Sequence, residues 1–156
     1  MIFTKRRYDL GKKLSKTTNL VKLSVGTEIV QDLAKWQATP RAQTKDGLPR
    51  HVTRMWPKRG EELLNGGSIY WVIKGKILCR QIILRLDETI GNDGIRRCAI
   101  VCDPKLINVA STPKRAFQGW RYLQLSDAPP DLAPARPNDD ALPPELQTAL
   151  ADIGLL

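Results

Sequence analysis

The stretch that decides the fold is Gly66-Gly67-Ser68-Ile69-Tyr70-Trp71-Val72-Ile73-Lys74-Gly75, continued by Lys76-Ile77-Leu78-Cys79-Arg80-Gln81-Ile82-Ile83-Leu84-Arg85-Leu86. Ile69, Trp71 and Ile73 alternate with Tyr70 and Val72, so an extended Ser68–Ile73 carries large apolar groups on both faces. A strand of that kind is covered on both sides, in a sandwich or a closed barrel. Lys74-Gly75 supplies a turn, and residues 76 to 86 read as a second, longer strand.

Upstream, Asn65-Gly66-Gly67 ends a short helix that Pro57 is placed to open, because proline's missing N–H costs nothing in a first turn. His51 to Trp56 reads as extended, after a polar loop with an Asp46-Gly47 turn. Further back, residues 20 to 25 form a first strand. Thr27 is positioned to cap a helix running to about Thr39, with Ile29, Leu33 and Trp36 as its apolar stripe and Pro40 as its stop.

Downstream, residues 87 to 94 read as a turn and Ile95 to Cys102 as a strand closed by Asp103-Pro104. Lys105 to Val109 and Phe117 to Leu125 supply two more extended segments. The class is α+β, a small curved antiparallel sheet or barrel with two or three short helices. Residues 19 to 126 hold this single globular domain. Residues 1 to 18 form a basic, flexible arm, and residues 127 to 156 a Pro-rich acidic tail with a possible short helix from Glu145 to Ile153.

The chain has 156 residues, 42% hydrophobic and 26% charged, ordinary for a soluble domain. No apolar run reaches the roughly 18–20 residues of a membrane-spanning helix. The N-terminus does not read as a secretory signal, although residues 1 to 18 have the basic character of an organelle leader. Three cysteines fit a reducing compartment better than a disulfide scaffold, so a cytoplasmic protein is expected.

Charge is distributed unevenly. Lys and Arg number 25 against 16 acidic residues, for a net +9, yet only Arg136 of the basic residues lies beyond Arg121. Such a body attracts polyanions. The acidic tail has the charge to fold back over it.

Two clusters combine cations with aromatic rings. Arg50, His51, Arg54, Lys58 and Arg59 surround Met55 and Trp56; Arg121 sits between Trp120 and Tyr122, with Lys114 and Arg115 upstream. Arginine forks match phosphate oxygens, and an exposed tryptophan offers a face for an unpaired base. The competing reading makes Trp56, Trp71 and Trp120 core residues and the arginines a solvated rim, most strongly for Trp71.

Catalytic and metal-binding patterns are weak. His51, the only histidine, has no carboxylate assigned to it by spacing, Asp46 and Glu61 being merely nearby. Cys98 and Cys102, four apart in a strand, stand about 13 Å from one another, too far for two ligands of one zinc ion. Gly66-Gly67-Ser68 leads from helix to strand, the reverse of a phosphate-cradling loop. No catalytic residue, metal or cofactor is assigned.

Four stretches resemble a bacterial family, domain of unknown function 1489. They are residues 51–59 (HVTRMWPKR), 66–75 (GGSIYWVIKG), 94–101 (GIRRCAIV) and 117–123 (FQGWRYL). The likeness covers about Asn19 to Pro130, and the family carries no established activity. Residues 66 to 86 are also similar to the pseudouridine-synthase-and-archaeosine-transglycosylase (PUA) superfamily with its ASCH and EVE relatives, although Ser68 stands where an acidic residue is frequent. That second likeness implies a compact PUA-like β-barrel that binds RNA or modified bases.

The functional expectation is therefore a non-catalytic nucleic-acid-binding module, leaning to RNA. The alternatives are an accessory subunit that binds a protein partner, and a nucleotide- or nucleic-acid-acting enzyme with His51 in its pocket.

Overall fold

The computed structural model describes residues 16–132. Most of the basic arm and of the acidic tail, including the segment expected to be a terminal helix, lies outside the described residues. The chain order is β1 (Asn19–Leu23), α1 (Val30–Gln37), β2 (Arg50–Thr53), α2 (Gly60–Leu64), β3 (Ser68–Ile73), β4 (Lys76–Ile90), β5 (Arg96–Cys102), β6 (Ile107–Pro113) and β7 (Trp120–Leu123). Short 3-10 turns occupy Pro40–Ala42 and Leu125–Asp127.

The seven strands form one sheet in the order β2-β5-β4-β3-β1-β7, with β6 also on β4. All six residues of β3 are buried, so the two-faced apolar pattern does mark a covered strand. The β3–β4 hairpin turns through Lys74 and Gly75 at φ 52 and 79. Two positive φ values in succession give the primed turn that matches strand twist.

β4 is the seam of the sheet. Its first half pairs with β3 and β6 and its second half with β5, with register shifts at Ile77/Cys79 and Ile83/Arg85. Such irregularities bend a strand and let one sheet curve.

The sheet departs from the sequence reading in pairing and in strand length. The sheet is mixed rather than antiparallel, because β1 runs parallel to β3, Leu20 opposite Ile69. The long intervening segment with both helices provides the crossover that a parallel pair requires. In addition, β4 continues through Asp87, Glu88, Thr89 and Ile90, which pair with Ala99, Cys98, Arg97 and Arg96. These residues read as a turn because three of the four side chains are polar, but their backbones complete a ladder.

Helix α1 is shorter than its periodicity suggests. Thr27 does not cap it; its hydroxyl donates to the Ser24 carbonyl at 2.7 Å. Asp32 instead accepts from the Glu28 and Ile29 amides at 3.0 and 3.3 Å. Leu33 is buried, whereas Ile29 and Trp36 are 53% and 51% exposed, so the stripe reaches the core through Val30 and Leu33.

Alternation along the strands creates two cores. Leu20, Ile69, Trp71, Ile73, Ile83, Cys98, Ile100 and Trp120 pack with Leu33 and Leu63 of the helices. Val21, Tyr70, Val72, Ile77, Val109 and Leu123 form the second core. Gly67 allows α2 to meet the sheet, since a Cβ there would lie 2.2 Å from the Thr18 carbonyl oxygen and 2.6 Å from that of Leu63. The tail begins docked on the sheet: Pro130 accepts from the Ala110 amide at 2.8 Å, and the Leu132 amide donates to Asn108 at 3.0 Å. No helix among the described residues is long and apolar enough to cross a membrane.

One polar residue, Gln81, is fully buried in the first core. Its Oε1 accepts from Trp71 Nε1 at 2.9 Å and from Gln37 Nε2 at 2.8 Å. Its Nε2 donates to Gln37 Oε1 at 2.8 Å and to the Asp103 carbonyl at 3.1 Å. Replacing it by leucine strands the Trp71 indole N–H and the Asp103 carbonyl, so Gln81→Leu is predicted to cost about 2–4 kcal/mol in urea unfolding. A loss below about 0.5 kcal/mol would contradict this account of the network.

Candidate nucleic-acid interface

Beyond Thr53 the chain leaves the sheet, and residues 54 to 59 cross its end. Trp120 Nε1 donates to the Met55 carbonyl at 3.0 Å, and the Arg59 amide donates to the Tyr122 hydroxyl at 3.0 Å. The Trp120 and Tyr122 rings meet edge to face at 4.9 Å. Two stretches more than 60 residues apart are thereby joined into one ledge.

Arg54, Met55 and Lys58 are exposed on this ledge. Arg59 is also exposed; it pairs with Glu62 at 2.6 Å and lies 5.0 Å over the Tyr122 ring. Trp56 packs partly against the first core, beneath the Arg96 guanidinium at 4.2 Å from its ring centroid. Arg96 in turn pairs with Glu88. Trp56 Nε1 is buried and has no hydrogen-bond partner among the described residues.

The structure separates other residues that the sequence groups together. Trp120 is only 5% exposed, so it supports the ledge instead of offering a stacking face. Arg121 points to the opposite side of β7, where it and Lys114 lie 5.2 and 5.8 Å from the Phe117 ring centroid. Arg115 is exposed near that second group. Arg50 lines a different recess of about 270 Å³ with Asp46, Arg85 and Asp87. Trp71 is a core residue, as its strand position suggests.

Two cations were missed in the sequence. Arg96 covers Trp56, a contact between distant segments that carries no local signal. Lys22 is opposite Trp71 on one side and Trp120 on the other. It is half-buried, and desolvation lowers its pKa. Its alternation with Leu20 places a charge at a core-facing strand position, a signal that is present in the sequence.

His51 is largely buried, its ring edge-on to Trp71 at 5.6 Å. Burial, aided by the charge of Lys22, lowers its pKa to about 4, and its Nε2 has no partner among the described residues. Without a carboxylate to orient it, a neutral imidazole of this kind is poorly suited to take a proton at pH 7. Burial also pushes the thiols of Cys79, Cys98 and Cys102 up to about 12, far from a thiolate nucleophile. Among the described residues no group of three or more His, Cys, Asp or Glu side chains could hold a metal ion.

The histidine makes a pH prediction. Unfolded, it titrates near its ordinary 6.5; folded, near 4. The unfolded chain therefore binds the extra proton as pH falls from about 6.5 to 4, and stability drops across that window by about 3 kcal/mol before levelling. His51→Phe, which keeps an aromatic edge against Trp71, should lose this slope in urea unfolding. An unchanged slope would place the titration elsewhere.

No curated protein and no solved structure matches the chain. A family model described as "Protein of unknown function (DUF1489)" matches residues 20–156. That span runs through the acidic tail, well past Pro130, where the recognisable motifs end. The chain belongs to the DUF1489 family of proteins of unknown function.

Proposed function

We propose that this protein is a non-catalytic, cytoplasmic RNA-binding module that holds single-stranded RNA on the ledge of residues 54 to 59. One observation carries the reading. Trp56, whose ring lies beneath the Arg96 guanidinium on the cationic ledge, has a buried Nε1 with no hydrogen-bond partner among the described residues. Unpaired buried polar groups are rare in native structures, and a donor left unpaired beside a cationic surface has capacity for one more acceptor.

In this reading Arg54, Lys58 and Arg59 contact phosphates, while Trp56 and exposed Met55 meet an unpaired base. The second basic group, Lys114, Arg115 and Arg121, extends the track around the β7 edge, and the basic arm adds unspecific affinity. The likeness of residues 66 to 86 to the PUA superfamily favours RNA over duplex DNA.

A second reading, an accessory subunit with a protein partner, draws on the exposed apolar side chains Val25, Ile29 and Trp36 near α1. Exposed apolar groups of this kind suit a protein contact more than a phosphate backbone.

The deciding test is a titration of the full chain with single-stranded RNA, tRNA, single-stranded DNA and duplex DNA at several salt concentrations. RNA should bind most tightly, with a steep salt slope. Arg54→Ala should lower that slope by about one. Trp56→Ala should cost about 1–3 kcal/mol on single strands, and Trp56→Phe less, since it keeps a ring. Weak, equal binding to all four, untouched by these changes, would reject the reading and favour the protein partner.

A further inference from the structure

On the other face of β3 from the ledge lies a recess of about 360 Å³ whose lining includes four side chains with hydrogen-bond donors. Its floor is made of Asn19, Ser68, Tyr70 and Arg80, brought together by strand alternation. Tyr70 stands directly opposite both Val21 and Arg80, and Asn19 lies two residues before Val21 on the same face of β1. Leu125 and the segment Ala128–Asp131 form the far wall.

The hydrogen bonds show which atoms are committed. Arg80 Nε and Nη2 fork onto the two carboxylate oxygens of Asp131, both at 2.8 Å, and Nη1 donates to Ser68 Oγ at 2.8 Å. Ser68 Oγ thus accepts and keeps its own proton to donate. Asn19 Oδ1 accepts from the Ser68 amide at 2.8 Å, which fixes the orientation of the side chain, because a backbone N–H can pair only with the oxygen. Asn19 Nδ2 is left buried and unpaired among the described residues, on a residue only 3% exposed. The Tyr70 hydroxyl remains protonated, since burial raises its pKa.

The lining therefore holds a guanidinium and two hydroxyls, with the unpaired Asn19 amide N–H buried behind Ser68. The only carboxylate on the recess comes from its wall, where backbone pairing with β6 holds Asp131 opposite Val109. Asp131 occupies part of the donor set and leaves Asn19 Nδ2 unmatched. A carboxylate has two oxygens; a phosphoryl group brings three acceptor oxygens and greater charge, which suits a lining of one guanidinium and two hydroxyls better.

We infer that this recess is a binding site for a phosphoryl oxyanion, free or as a monoester, and that Asp131 is an internal competitor that occupies Arg80 when no ligand is bound. The site is separate from the RNA ledge and does not depend on it. It also gives the first residues of the acidic tail a function: they set how readily the site accepts an anion. Neutralising Asp131 releases the fork, while Arg80, Ser68 and Asn19 stay in place.

Calorimetric titration of the full chain with inorganic phosphate, adenosine 5′-monophosphate and acetate tests this. Asp131→Asn should bind phosphate and the nucleotide about five-fold or more tightly than the wild type, the scale of competition from one part-exposed ion pair. Adding Arg80→Lys to that variant should remove the gain. Tighter binding of the nucleotide than of phosphate would assign the site to a monoester, and equal binding to the free ion; either supports the phosphoryl assignment. No gain in Asp131→Asn, or a gain for acetate equal to that for phosphate, would overturn it. Should Asp131→Asn fail to fold, the Asn19 side-chain amide in the wild type still reports by NMR. A saturable shift with phosphate is expected, and its absence would overturn the inference.

Discussion

Strand β3 has no solvent face, and most of the architecture follows from covering it. Ile69, Trp71 and Ile73 require one apolar layer, and Tyr70 and Val72 another. Burying side chains of this size contributes about 1.5–3 kcal/mol each, enough to organise a domain of this length. The first layer recruits Leu33 of α1, Leu63 of α2 and the inward residues of β5; the second recruits β6 and Leu123 of β7. Burial also constrains the Trp71 indole, whose N–H must find an acceptor inside. Gln81 provides it and is itself satisfied by Gln37 and the Asp103 carbonyl, so α1 and the end of β5 are tied to the same strand.

The two faces of that strand also separate the chemistry. Alternation in β7 puts Trp120 and Tyr122 under the cationic ledge and Arg121 on the other side, with Phe117. Alternation in β1 sends Lys22 toward Trp71 and Trp120, and Asn19 toward Ser68 and Tyr70. The buried polar atoms without partners are divided too: Trp56 lies on the ledge, Asn19 lines the recess, and Arg50 lines the separate recess with Asp46 and Arg85. Gln81, a polar side chain within the first core, is fully hydrogen-bonded.

The hairpin at Lys74-Gly75 and strand β5 were legible because their signals are local: two-faced apolar runs and a glycine turn. The parallel pairing of β1 with β3 was not, since nothing in Asn19–Leu23 states its direction. Asp87–Ile90 read as a turn because a polar, solvated strand end lacks the apolar alternation on which sequence reading depends. The same limit applies to the site. Arg54, Trp56 and Lys58 stand out as a basic run around an indole, but the bonds joining Met55 to Trp120 and Arg59 to Tyr122 link residues more than 60 positions apart. Those bonds make Trp120 a buried support of the ledge. Lys22 was visible in principle, as a charge at an inward position of a strand.

If RNA is held on the ledge at Trp56, the indole N–H resonances report it directly. The chain has four tryptophans. Trp71 and Trp120 already donate to protein acceptors, whereas Trp56 Nε1 is buried without one. Adding a single-stranded oligoribonucleotide to the labelled full chain should move the Trp56 indole signal and the amides of residues 54 to 59, and leave the Trp71 signal in place. Saturating RNA that leaves Trp56 unmoved, or that shifts residues away from the ledge instead, would contradict the account.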